Sequence, residues 1–111
     1  MLTEQPILIT SIQCKETGGI VKNRFVDFAG VLTAEGYKPL GISNAEADSG
    51  EMLPVVAQGI ALVITAVAIT KGSAVMAVDD GYAAPHSTGI IAGYALDDAS
   101  GSSQLIRVLL S

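Results

Sequence analysis

The 111-residue sequence is poor in nearly every side chain with which proteins do chemistry. It has one histidine, His86, and one cysteine, Cys14. A catalytic centre needs a nucleophile with its base, a metal cluster, or paired acids in a pocket. Neither residue has a partner motif nearby. His86 follows Pro85 in a turn-like segment and reads as a surface histidine. Cys14 reads as a small packing residue, and being single it excludes an internal disulfide, as suits a reducing cytoplasm. Tryptophan is absent, and two Phe and three Tyr are the whole aromatic complement. That removes stacking platforms for single-stranded nucleic acid and leaves the core to Val, Ile, Leu and Ala. Charged residues are 15% of the chain, against about 25% in an average globular domain. The six basic ones, Lys15, Lys22, Arg24, Lys38, Lys71 and Arg107, are scattered, and the net charge is −5. This disfavours nucleic acid, whose phosphates need clustered cations, and a basic amphipathic helix for a membrane surface. So little charge leaves a monomer short of polar surface, which points to cover by other chains. The segment Met1–Pro6 lacks the basic and apolar regions of a signal peptide.

What is abundant is aliphatic residues, concentrated in Glu51–Asp80. Met52 to Thr70 carries no charge. A membrane helix takes about 20 apolar residues, but Pro54, Gln58 and Gly59 interrupt this run, and its Val and Ile fit a pleated surface better. Lys71-Gly72-Ser73 marks a turn, Ala74–Val78 resumes the apolar chemistry, and Asp79-Asp80-Gly81 closes it. The stretch predicts two or three strands buried on both faces, as in a barrel interior or a subunit interface. Val63, Thr65, Val67 and Ile69 are candidates for contact between copies.

Elsewhere short strands alternate with Gly-rich turns. The first is predicted over Pro6–Lys15, behind an arm of residues 1–6; residues 7–111 form one domain. A turn at Glu16–Gly19 leads to a strand or bent strand pair over Ile20–Phe28. Short segments follow at Val31–Thr33 and Pro39–Ser43, then a polar loop at Asn44–Gly50. Tyr82–Ser87 reads as irregular, with Pro85 against a central strand. Gly89–Leu96 and Ser103–Leu110 are the last strands, separated by a loop at Asp97–Ser102. No window has capped helical periodicity; Asn44–Ala47 and Asp97–Ser100 reach one turn at most. The pattern is all-β, a small barrel or sandwich.

Two carboxylate pairs, Asp79/Asp80 and Asp97/Asp98, lack the alternate spacing and distal Glu of a calcium loop and read as solvated turns. Gly18-Gly19 lacks the Gly-Lys-Ser/Thr ending of a phosphate loop. Leu40–Ala47 echoes Ala92–Ala99: Gly41 matches Gly93, Ala47 matches Ala99, and further on Leu53 meets Leu105 and Val56 meets Val108. Convergence on one turn chemistry and a pseudo-repeated unit closing a barrel both account for the echo.

The order of segments Gly59–Val63, Ile69–Val75, Asp79–Gly81, Gly89–Ala99 and Leu105–Leu110 resembles the small capsid cement, or head decoration, proteins of tailed bacteriophages. Those proteins show an apolar "G-x-A" strand, a "x-x-G-x-x-V" turn, a "G-x-A-L-x-x-A" segment and a closing "x-x-V-x-L" strand. Gly41–Gly50, with Glu51, resembles their earlier "G-V-A-x-x-x-A-x-x-G-E" element. The resemblance covers Leu40–Leu110; upstream, Glu16–Gly19 stands where the family has an early "G-D". It implies a β-barrel or β-tulip domain, often trimeric, on the outer face of an expanded capsid. There it would bind between major capsid protein subunits and resist internal DNA pressure, without catalysis or cofactor. It further implies synthesis in the host cytoplasm and residence on the virion. Leu2, Thr3, Glu4, Gln5 and Pro6 are then candidates for adding a strand to a capsid sheet edge. The competing expectations are a small β-barrel binding module for a peptide or small ligand, and, ranked last, an enzyme whose two carboxylate pairs converge.

Overall fold

A computed structural model describes residues 2–110. Its elements are β1 (Gln5–Gln13), β2 (Phe25–Val26), β3 (Gly41–Ser43), β4 (Met52–Ile64), β5 (Ala74–Val78), a 3₁₀ turn (Asp79–Gly81), β6 (Tyr82–Pro85), β7 (Gly93–Ala95) and β8 (Leu105–Leu110). The chain is all-β, and one antiparallel sheet runs β2-β3-β4-β8-β7-β5-β6 with β1 added on β4. A parallel bridge from Thr65 to Ala83 brings β6 back to the end of β4 and nearly closes a barrel.

The apolar run becomes one long strand, β4, as far as Ile64, then bends with isolated bridges at Thr65 and Ile69, and β5 follows beyond the Lys71-Gly72 turn. No helix among the described residues is long and apolar enough to cross a membrane. β4 holds the molecule together because it has partners on both edges. Val56 faces Ile9 on one side and Ile42 on the other, and Gly59 faces Pro6 on one side and Leu110 on the other. It also separates two cores. Leu53 and Val55 pack with Cys14, Ile20, Val26 and Ala47. Val56, Ala61 and Val63 pack into the larger cluster with Phe25, Ile42, Val75, Ile106 and Val108. The expected burial on both faces is corrected: burial alternates along β4, with Pro54, Ile60, Leu62 and Ile64 only half-buried, and the buried side switches core at Val55–Val56, where two neighbouring residues are both buried.

The echo between Leu40–Ala47 and Ala92–Ala99 is a repeat of tertiary structure, but the strand after it is displaced by one position: Val55, not Val56, stands where Val108 stands, and Met52, not Leu53, where Leu105 stands. Phe25↔Ile42 and Val26↔Gly41 recur as Ala74↔Tyr94 and Val75↔Gly93. Ile42↔Val56 and Ser43↔Val55 recur as Tyr94↔Leu109 and Ala95↔Val108. Gln13↔Met52 recurs as Ile64↔Leu105. The isolated bridge Ile20↔Ala47 recurs as Ile69↔Ala99. The Lys15 amide donates to the Gly30 carbonyl at 2.9 Å as the Ala66 amide donates to that of Ala83 at 2.8 Å. Left-handed Asn23 (φ 69°) stands where Gly72 (φ 88°) stands. The N-terminal unit is thus β1, β2, β3 and the first half of β4. The C-terminal unit is the second half of β4 with β5 to β8. The last strand of the first runs without a break into the first strand of the second.

Several predicted boundaries shift for local reasons. The first strand starts at Gln5 and stops at Gln13, because the Cys14 amide turns to Glu51 and Lys15 bonds Gly30. Of Ile20–Phe28 only Phe25–Val26 is strand; Ile20 makes a single bridge. Val31–Thr33 contributes one bridge, Val26↔Leu32. Tyr82–Pro85, expected to be irregular, is a strand, and Pro85 is its last residue, where a missing amide does little harm. Gly89–Leu96 shortens to β7, because Ile90 hydrogen-bonds Gly36 instead of joining a ladder.

Candidate assembly surface

The most open element is β1. It pairs with β4 alone, and every residue from Gln5 to Gln13 is exposed or half-buried. Ile7 is 80% exposed, Leu8 49% and Ile9 47%. Ile7 sits where the register slips between Pro6 and Leu8, an irregularity that throws a side chain outward. At the far end of the strand the Cys14 amide points to β4 and the Lys15 amide points away, to Gly30. By the two-residue period, Ile9 and Ser11 direct their backbone groups to the open side. Edges of this kind are ordinarily guarded by charge or proline. Here no residue from Gln5 to Gln13 is charged, and Pro6 is the only guard.

A second apolar surface lies at the loop from Asp27 to Lys38. Phe28 and Tyr37 are 63% and 68% exposed. With Val31, Leu32 and Ala34 they line a groove of about 520 Å³, rimmed by Asp27 and Lys38. The two surfaces adjoin, since Gly30 packs its backbone on the Gln13 carbonyl.

The predicted capsid-contact residues Leu2, Thr3 and Glu4 lead into β1, and Gln5 and Pro6 are its first two residues. Leu2 is 42% exposed. The predicted interface set needs correction. Val63, Thr65 and Ile69 are buried inside this chain, and only Val67, 49% exposed, has surface to offer. The Thr65 hydroxyl donates to the Gly101 carbonyl at 2.8 Å and accepts the Gln104 amide. These residues are apolar or satisfied because they fill the chain's own barrel. Reasoning from sequence missed Ile7, Leu8, Ile9, Phe28 and Tyr37 as exposed. The available signal was a charge-free strand at the start of the sheet.

The histidine and the carboxylate pairs are bound to neighbouring backbone and side chains. His86 Nε2 lies 3.0 Å from the Gly89 carbonyl. Asp79 accepts the Glu35 amide at 3.2 Å, while Asp98 accepts that of Lys71 at 2.7 Å. Asp97 takes Arg107 in a two-pronged ion pair at 2.9 and 2.8 Å and accepts its amide as well. The guanidinium hydrogen bond holds the Asp97 carboxyl down at about 2. Each of the two acidic pairs therefore fastens a neighbouring loop, Asp79 the one at Glu35 and Asp98 the one at Lys71. Among the described residues no group of three or more His, Cys, Asp or Glu is placed to hold a metal ion. Glu46, Asp48 and Glu51 border a polar hollow of about 340 Å³, where Glu51 accepts the Asp48 amide at 2.8 Å.

Residues 5–110 match the family model described as phage cement protein. Among solved structures, the head fiber gp8.5 N base of bacteriophage phi29 is similar, with 19% sequence identity and a TM-score of 0.77. The alignment covers 94% of this chain and 95% of that one, and it shows a shared fold. No curated protein matches the chain.

Proposed function

This chain belongs to the phage cement protein family, structural proteins of the phage head, and from that premise we propose that it binds the outer surface of a capsid between major capsid protein subunits and stabilises the shell. The supporting observation is β1, an exposed and charge-free edge strand that begins where the arm Leu2–Glu4 ends. The arm, an extended segment leading into this edge, docks on a sheet edge without a deep pocket. Many copies on one shell then add weak contacts by multivalency. The protein works by contact and carries out no reaction; it resides on the virion after synthesis in the host cytoplasm.

Self-association belongs to the same proposal. Apolar side chains are exposed on two unlike surfaces, the β1 ribbon and the Phe28–Tyr37 groove. Joining unlike surfaces head to tail generates a ring where the rotation closes, and three copies make the smallest such ring that matches a three-fold position on a shell. Deleting residues 1–5 and measuring co-sedimentation with expanded capsids tests the arm. Occupancy is expected to fall; unchanged occupancy removes the arm from the account. Light scattering on the isolated protein tests the ring, and a mass in multiples of three copies is expected.

A further inference from the structure

The internal repeat indicates what belongs against the open edge of β1. In the C-terminal unit the leading strand is the second half of β4. Its continuation back toward Met52 is covered along one edge by β1, in the register Gln5↔Ile60 and Ile9↔Val56. In the N-terminal unit the leading strand is β1 itself. Gln13↔Met52 stands in place of Ile64↔Leu105, and Ile9↔Val56 in place of Ile60↔Leu109. The outer edges correspond too, since Lys15 bonds Gly30 where Ala66 bonds Ala83. Ile9 is therefore the counterpart of Ile60, and Gln5 that of Val56. The edge that β1 covers on β4 is, on β1, uncovered.

We propose that a second copy of this chain covers it, with β1 against β1, antiparallel about a two-fold axis near Ile7. Carrying the β4–β1 register over to β1 places Ile9 opposite Gln5 of the other copy, and Gln5 opposite its Ile9. That is the self-complementarity a two-fold contact requires. The occupant is argued from continuity with the seam inside the chain: the leading strand of one unit already pairs there with the leading strand of the other. Of the two leading strands, only β1 is open, because β4 is flanked by β1, β3 and β8. The absence of charge from Gln5 to Gln13 means that no like charges meet across the axis. Pairing turns Ile7, Leu8 and Ile9 from an edge into the middle of a sheet running through both copies. Pro6, with no amide hydrogen, costs the ladder one bond. The contact is two-fold and so distinct from a three-fold ring; where both form, rings join in pairs. It uses Gln5–Ile9 and leaves Leu2–Glu4 for the shell.

The full chain with Ile7→Cys, mildly oxidised, tests the contact, beside Ser102→Cys on an exposed loop of the C-terminal unit. The native Cys14 is buried and serves as the background. Ile7→Cys is expected to link into disulfide pairs at least tenfold faster than Ser102→Cys. Light scattering over a concentration series is expected to show masses in multiples of two copies. Ile7→Lys, at a position 80% exposed, is expected to halve that mass while keeping the thermal transition. Equal cross-linking rates, with a mass of one copy or of three without doubling, overturn the proposal. Three copies without doubling would still leave the ring standing. Capsid co-sedimentation of Ile7→Lys reads the shell contact separately.

Discussion

At the scale of single residues, polar groups here hold loops in place. Asp97 fastens the β7–β8 loop to β8 by gripping Arg107 through its side chain and its amide. Folding lowers the Asp97 pKa from 3.8 to about 2, mainly through the Arg107 hydrogen bond. The folded protein thus keeps this charge at a pH where the unfolded chain has lost it. The stabilisation is whole above about pH 4 and fades as pH falls towards 2. The side chains are 33% and 23% exposed, so solvent screening reduces its worth to roughly 1 kcal/mol. Asp97→Asn is expected to lower stability by about that much at pH 7, with the difference from wild type shrinking below pH 4. Denaturant titrations at several pH values would check this; a difference independent of pH would remove the charge from the account. None of this was legible in Asp97-Asp98, since Arg107 lies ten residues away and only the β7–β8 pairing brings it near.

At the scale of elements, the repeat explains features that sequence left open. Gly41 and Gly93 begin β3 and β7, and each lies against the following strand. An added Cβ would meet the Val56 carbonyl and Val55 Cγ1 (2.8 Å) in one case, and the Leu109 carbonyl and Val108 Cγ1 (2.7 Å) in the other. The neighbours are backbone and packed valines, so neither site yields easily. Gly41→Ala and Gly93→Ala are each expected to cost about 1–3 kcal/mol, in the range of overpacked cores. Chemical denaturation measures both, and a neutral effect at one site alone would break the equivalence of the two units. The run was legible as strand as far as Ile64, but whom it faced was not. Val63 and Ile69 look the same in sequence whether they fill a barrel or meet a second copy. Ile7, Leu8 and Ile9 have the composition of buried strand residues, yet β1 lies at the sheet's edge.

At the scale of the molecule, two cores share one strand. Leu53 fills the smaller and Ile106 the larger, and both are fully buried. Truncating either to alanine is expected to cost about 2–5 kcal/mol. Because β4 belongs to both units, both variants are expected to unfold in a single transition, coincident by circular dichroism and by fluorescence of the tyrosines. Two separated transitions would mean that the units fold independently.

The sequence by itself determined the all-β class, the turns, the long apolar centre and the kinship with phage cement proteins. These depend on local propensity and on the order of short motifs, which neighbours along the chain carry. Tertiary structure alone decided that the faint echo is a full repeat and which greasy residues stay outside. Strand pairing joins residues dozens of positions apart, and burial depends on which strand ends at an edge; alternation along a strand records neither.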